Sequence, residues 1–290
     1  MKIALITTHP GLIENKRIEE EVLALGHQFE LVDLTNFEYE VNENGLFIPQ
    51  ISDLEADIAV FRGIFLSLKQ IADTVKILKQ KGIKVFDNSL LDHKYSINKI
   101  TDTIKLGIDK IPMPKAYYSR KFDNYLEQAD RLGYPLIVKL TRAGKGAGVE
   151  KFDSKEELEV FITQKSQSEK NASGLLMQEF IPYKHDLRIL IIGGRMFAMK
   201  RIPREGDFRA NFSLGGTVEL FEPDIETQDL ALRALKAVDM SVGGVDVLIT
   251  EDNQKYILEV NHTAGMVGME EATKENITQF YVKHVIEKAL

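Results

Sequence analysis

The chain has 290 residues, 44% of them hydrophobic, enough for a sizeable core and for two or three compact units. Its 37 basic and 44 acidic residues leave a net charge of -7, which argues against general binding to nucleic acid or to an anionic membrane. Cysteine is absent, so disulfides, thiolate nucleophiles, cysteine-ligated zinc and iron–sulfur clusters are excluded.

From Lys2 to about Asn88, strand and helix signals alternate. KIALIT, FELVDL, DIAVF and KVFD read as strands, with helices near Glu14 to Leu25 and near Leu68 to Lys81. This pattern predicts a parallel α/β unit, and ligands in such sheets collect at the carboxyl ends of the strands. Thr7-Thr8-His9-Pro10-Gly11 follows the first strand in place of a dinucleotide fingerprint. The opening apolar run is too short for a signal peptide and no run is long enough to cross a bilayer, so cytoplasmic residence is expected.

A helix is expected from His93 to Leu106, ended by the connector Ile111-Pro112-Met113-Pro114. Next come a strand, PLIVKL, a glycine-rich loop from Arg142 to Gly148, the strand VEKF and a helix announced by Ser154 and Glu157. Lys165 to Ser173 reads as a polar loop or linker. The strands GLLMQEFI, LRILII and RMFAMKRIP follow, with a Gly193-Gly194 turn between the last two, and together they suggest a meander. A helix near Asp229 to Met240, a hairpin of GVDVLIT and KYILEVN, and a helix from Thr278 to Leu290 complete the chain. Divided by these signals, the units run 1–90, 91–173 and 174–290.

The last hairpin carries the strongest chemical signal. With Thr250 paired to Lys255, Asp246 falls directly across from Glu259, and Asn261 shares the face of Glu259. Two carboxylates directly opposite repel unless a cation lies between them. Mg²⁺ takes hard oxygen ligands and joins protein carboxylates to substrate phosphates, so a nucleoside triphosphate is the expected ligand. A solvated hairpin with unrelated charges is the alternative.

Lys139 sits inside an apolar strand, where an ammonium wants an anion, and Gly144, Gly146 and Gly148 let backbone N–H groups approach phosphate oxygens. A surface turn and a snorkelling lysine would read the same way. Glu179 and Phe180 end a strand that could meet an adenine edge, and Asp186 could reach a ribose or pair with Arg188. The run Arg201 to Asn211 concentrates guanidiniums before Gly215-Gly216, as suits phosphate or carboxylate recognition. Arg62, at the end of DIAVF, is a candidate carboxylate contact. The six histidines show no metal-ligand spacing, and no nucleophile elbow is present.

In this order, IVKLTRAGKGAGV, MQEFI, HDLRILIIGG, RIPREGDFRANFSLGG, GVDVL and LEVNHTAG resemble the ATP-grasp superfamily, and within it the RimK-like amino-acid ligases, along nearly the whole chain. The resemblance implies an α/β ATP-grasp fold, α+β in its C-terminal half, behind a Rossmann-like pre-ATP-grasp domain. It implies Lys139 and Lys94 on the ATP phosphates, Glu179 and Phe180 at the adenine, and Asp186 at the ribose. Arg209 and Asn211 would face the phosphates and the reacting centre. Asp246, Glu259 and Asn261 would hold two Mg²⁺ ions, which Mn²⁺ could replace. Arg62, Arg188 and Thr263 are assigned to the substrates. Two departures matter: His93-Lys94 stands where Asp-Lys is common, which leaves Lys99 competing with Lys94, and Thr263-Ala264-Gly265 replaces a Ser-Pro-Gly turn. The implied activity is ADP-forming ligation of an amino acid, often glutamate, to a protein tail or small acceptor, by a homo-oligomer. A small-molecule kinase and a nucleotide-binding regulatory protein are the alternatives.

Overall fold

The computed structural model describes residues 1–43, 45–64, 71, 73–86, 98–141, 148–203 and 217–289. The N-terminal elements are β1 (Lys2–Thr7), α1 (Ile13–Ala24), β2 (Gln28–Asp33), the hairpin β3 (Glu40–Asn42) and β4 (Gly45–Phe47), α2 (Pro49–Ser52), β5 (Ile58–Phe61), α3 (Thr74–Gln80) and β6 (Lys84–Phe86). Four of them form the expected parallel sheet, in the order β2-β1-β5-β6. Its central strands are apolar apart from Lys2 and Thr7 at the ends of β1, because both faces are covered. Ile3, Leu5, Ile58 and Val60 enter one core, and Ala4, Ile6, Ala59 and Phe61 enter another. The β3–β4 hairpin and α2 have no counterpart in the sequence expectations. The predicted helix over 68–81 is described from Thr74.

The middle of the chain holds α4 (Lys99–Ile108), β7 (Ala116–Tyr117), α5 (Asp123–Leu132), β8 (Leu136–Leu140), β9 (Val149–Phe152), α6 (Lys155–Ser168) and β10 (Leu175–Glu179). An antiparallel sheet, β7-β10-β8-β9, packs on α5 and α6 around Tyr125, Val138, Phe152, Leu158 and Met177. Ser154 caps α6 as expected, its hydroxyl accepting from Glu157 N at 3.3 Å. That helix runs to Ser168, so four of the nine residues read as a linker are helical, and β10 beyond it pairs with β7 and β8 and does not form a meander with the strands that follow. The helix expected from 93 starts, among the described residues, at Lys99, where the Asn98 side chain accepts from Ile100 N and Thr101 N.

The C-terminal part comprises β11 (His185–Ile192), β12 (Arg195–Ile202), β13 (Thr217–Leu220), α7 (Ile225–Ala237), β14 (Val242–Ile249), β15 (Lys255–Asn261), α8 (Val267–Thr273) and α9 (Ile277–Ala289). Its five strands form one antiparallel sheet, β13-β12-β11-β14-β15. Gly193 and Gly194, at φ 57° and 85°, make the two-residue turn that a β-hairpin requires, and they set Ile192 opposite Arg195. Leu187, Ile189, Val245 and Val247 pack against α7, together with Leu106 of α4. Leu190, Ile192, Phe197 and Met199 join the N-terminal core through α9, so the first and last sheets are welded.

The central sheet meets the last one at its two ends. Ile257 N on β15 donates to Pro112 O at 2.8 Å, and Lys184 N donates to Ile249 O on β14 at 2.8 Å.

Candidate active site

Asp186 and Arg188, two residues apart, share one face of β11. Arg201 on β12 lies opposite Asp186, Asp246 on β14 lies opposite Arg188, and Glu259 on β15 lies opposite Asp246. Ionic side chains therefore cross four adjacent strands. Arg188 donates to both oxygens of Asp246, Nε to Oδ1 at 2.8 Å and Nη2 to Oδ2 at 2.7 Å. Arg201 grips Asp186 likewise, at 2.6 and 2.9 Å, and its Nη2 lies 3.0 Å from Asp246 Oδ2. Forked guanidinium–carboxylate bonds of this kind fix geometry as well as charge.

The pairing of Asp246 with Glu259 is the one the sequence predicts, reached by another route. Ile249, not Thr250, stands opposite Lys255, one residue out of the expected register. A bulge between Val247 and Asp246 then skips Leu258 and restores the pairing. Ile257 and Val260, three residues apart, both enter the core as a result.

Two lysines arrive from other elements. Lys139 on β8 is 6% exposed. Burial pushes its ammonium down to about 8, the pull of Glu259 opposing that shift and Lys99 adding to it. Lys99, at the start of α4, lies 3.2 Å from Glu259 Oε2. It is the competing lysine that the structure brings to the site, while Lys94 lies outside the described residues.

Burial raises every carboxyl of the cluster, and its cationic neighbours decide the outcome. For Asp246, Arg188 and Arg201 outweigh burial and hold the group well below the usual carboxylate range. For Glu259, Lys99 and Lys139 outweigh burial and the repulsion of Asp246, so it too is held low. For Asp186 burial wins over Arg201, and the carboxyl is raised. The four cations Lys99, Lys139, Arg188 and Arg201 face three acids, an excess suited to an anionic ligand.

Asn261 ends β15 opposite Gly244, and its Oδ1 accepts from Thr263 N at 3.2 Å. Among the described residues no group of three or more His, Cys, Asp or Glu gathers as a metal site. Asp246, Glu259 and Asn261 offer oxygens only, two acids and an amide, the donor type Mg²⁺ takes when phosphates complete its shell. Glu259 keeps one oxygen, Oε1, without a hydrogen bond among the described residues, so this set fits the ion.

The remaining candidates divide. Gly148, at φ 76°, accepts from Leu140 N at 2.7 Å, one step beyond the Lys139–Val149 pair of β8 and β9. Gly144, Gly146, Arg209 and Asn211 lie outside the described residues. Glu179 at the end of β10 accepts from Lys115 N at 2.8 Å, and the Lys151 ammonium stands 4.9 Å over the ring of Phe180. Asp186, expected at a ribose, is 2% exposed with both oxygens on Arg201, so its observed engagement is inside the sheet. Arg188 holds Asp246 in place of an external carboxylate. Arg62 donates to Ala264 O at 2.9 Å and lies 5.2 Å from the centre of the Tyr281 ring. With His262 and Thr263 it lines a cavity of about 20 Å³ between the first and last sheets.

Two features were not assigned from sequence. The place of Arg201 follows from the Gly193-Gly194 turn, since pairing 192 with 195 puts 201 opposite 186. The bond between His262 Nε2 and Asp102 Oδ2, at 2.9 Å, had no sequence signal.

Residues 69–285 match the family described as the RimK-like ATP-grasp domain. A protein of Marinomonas sp. (strain MWYL1) named "Probable alpha-L-glutamate ligase" is 27% identical over 100% of this chain and 96% of its own. One of the same name from Coxiella burnetii (strain Dugway 5J108-111) is 26% identical over the same shares. The ATP-grasp ligase PsnB, solved with a minimal precursor, superposes with a TM-score of 0.73 at 18% identity, covering 99% of both chains. The RimK domain protein from Sphaerobacter thermophilus DSM 20745 gives 0.72 at 16% identity, covering 99% of this chain and 100% of that one. With the family match spanning most of its length and the fold of solved ATP-grasp ligases, the chain belongs to the RimK-like ATP-grasp family.

Proposed function

We propose that this protein is an ATP-dependent, ADP-forming ligase that joins a carboxylate to an amine through an acyl phosphate. The observation that carries the reading is the convergence of Lys139 and Lys99 on the Asp246–Glu259 pair, from two elements outside the last sheet. Such a grouping supports the reading, since cations could serve phosphate oxygens and the oxygen donors a hard cation. Mg²⁺, held by Asp246, Glu259 and Asn261, would neutralise phosphate charge; a second ion and Mn²⁺ as a substitute remain part of the proposal.

In this reading Lys139 and Lys99 bind the phosphates, with Lys94 as the alternative, and the glycines at 144, 146 and 148 cover them. Glu179 and Phe180 border the base. Arg209 and Asn211 serve the reacting centre, where a substrate carboxylate attacks the γ-phosphorus and ADP leaves, giving the acyl phosphate. The amine then attacks the acyl carbon and phosphate leaves. Arg62 and Thr263 are assigned to the carboxylate substrate; both line the cavity between the first and last sheets, which has room for about one water. Arg188 holds Asp246 and lies beside that same centre. Glutamate is the favoured amino acid, because the relatives are named for it. A polypeptide acceptor is supported by PsnB, which was also solved with the precursor peptide PsnA2. A homo-oligomeric assembly, cytoplasmic residence and a division near 90 belong to the same proposal, but the division expected at 173 moves past β10, which pairs in the middle sheet, to near 182. Among the described residues no helix is long and apolar enough to cross a membrane.

The test is phosphate release from Mg-ATP across a panel of amino acids and acidic acceptors, with mass spectrometry of each mixture. A condensed product with ADP supports the ligase. A phosphorylated product that persists would replace it with a kinase, and tight ATP binding with no turnover under any pairing would favour a regulatory protein.

A further inference from the structure

We infer that Asp102 and His262 form a clasp that positions Lys99 in the phosphate-binding cluster. The inference rests on the nucleotide reading above and adds two residues to which that reading gives no role. Lys99 and Asp102 stand three apart on α4, hence on one face of that helix, and Glu259 and His262 stand three apart where β15 ends. The two pairs lock in parallel: Lys99 Nζ to Glu259 Oε2 at 3.2 Å, and His262 Nε2 to Asp102 Oδ2 at 2.9 Å.

Lys99 needs such help. It occupies the first position of α4, where the positive end of the helix dipole repels an ammonium. Lys139 approaches the same carboxylate, and the two ammoniums repel each other. Glu259 is 31% exposed, and a partly solvated ion pair is a weak tether. The clasp lies one helical turn further on and is almost dry, with side chains 6% and 9% exposed. Asp102 Oδ1 makes no hydrogen bond among the described residues, so His262 is the polar contact that holds this buried carboxylate. Below the clasp Leu106 anchors the helix in the core of the last sheet.

The experiment measures ADP binding in the presence of Mg²⁺ by calorimetry, with thermal melts, for His262→Ala, Asp102→Ala, Lys99→Met and each clasp variant combined with Lys99→Met. Each clasp variant should weaken ADP roughly fivefold to tenfold, and the loss should vanish once Lys99 is methionine, because contacting groups couple and independent ones add. His262→Gln and Asp102→Asn, which retain a hydrogen-bonding pair, should recover most of the affinity, and they serve if the alanine variants do not fold. Clasp variants that melt earlier but bind ADP unchanged, or whose losses persist with Lys99→Met, would overturn the clasp and leave the ligase reading intact. Wild-type protein that binds no ADP would overturn both.

Discussion

Asp246 and Glu259 face each other across β14 and β15 because Leu258 drops out of the ladder between them. Opposed carboxylates repel, and in this fold arginines from the sheet and lysines from outside it offset that repulsion. Glu259→Gln removes a carboxylate whose charged form Lys99 and Lys139 favour and leaves the buried Lys139 ammonium less compensated, so it should lower the melting temperature in metal-free buffer. It should also remove most of the gain in ADP affinity that Mg²⁺ brings, a loss of tenfold or more. Calorimetry of ADP with Mg²⁺ and with EDTA checks both halves.

Lys139 is an ammonium held where burial disfavours it. Lys139→Met fits the same strand position without that penalty. The expected result is a protein at least as stable as the wild type in urea, with ATP KM raised more than tenfold. A marked loss of stability would show that the ammonium serves the packing of β8.

His185 opens β11 with 8% exposure, and neither ring nitrogen makes a hydrogen bond among the described residues. Burial lowers its tendency to take a proton, and Lys200 and Lys184 add to that effect. A histidine whose folded value lies below its unfolded one stabilises fully above the unfolded value of about 6.5 and loses that contribution as pH falls towards the folded value. Urea unfolding at pH 7.5 and pH 5.5 should show a drop in the wild type. His185→Phe, which keeps a ring against Phe221, should shrink that drop.

Arg62 joins the end of β5 to the loop after Asn261 through Ala264 O and also borders the cavity that Thr263 lines. Arg62→Ala should raise the KM of the carboxylate substrate far more than that of ATP, with a stability loss of roughly 1–3 kcal/mol from the buried bond removed. Equal effects on both KM values would assign Arg62 to holding the loop alone.

How much of this was legible in the residues depended on the range of the contacts. β1, β5, β8 and β14 announce themselves because they are nearly unbroken apolar runs. The opposed acids were legible because both strands flank a short polar turn, although the slip at Lys255 and the bulge at Leu258 cancel in a way no local pattern reveals. Helix α5 was missed because it buries only Tyr125 and Ala129 and has no side-chain cap at its start. β13 was missed as an edge strand, with Leu220 65% exposed, and β7 is two residues long. The grip of Arg188 on Asp246 depends on β11 pairing with β14, strands separated by about 50 residues, for which the chain carries no local sign.

The bonds at Pro112 and Lys184 fix where the middle sheet enters and leaves its neighbour, on either side of the β14–β15 ribbon. By strand spacing these points lie roughly 14 Å apart. Everything between them, with its own core around Tyr125 and Met177, is in effect a module spliced into a host whose ends nearly meet. A short linker from 114 to 182 should then yield a smaller protein that still folds and keeps its row of acids and arginines. It would lack Lys139, and with it the capacity to hold a nucleotide on a surface left open to water.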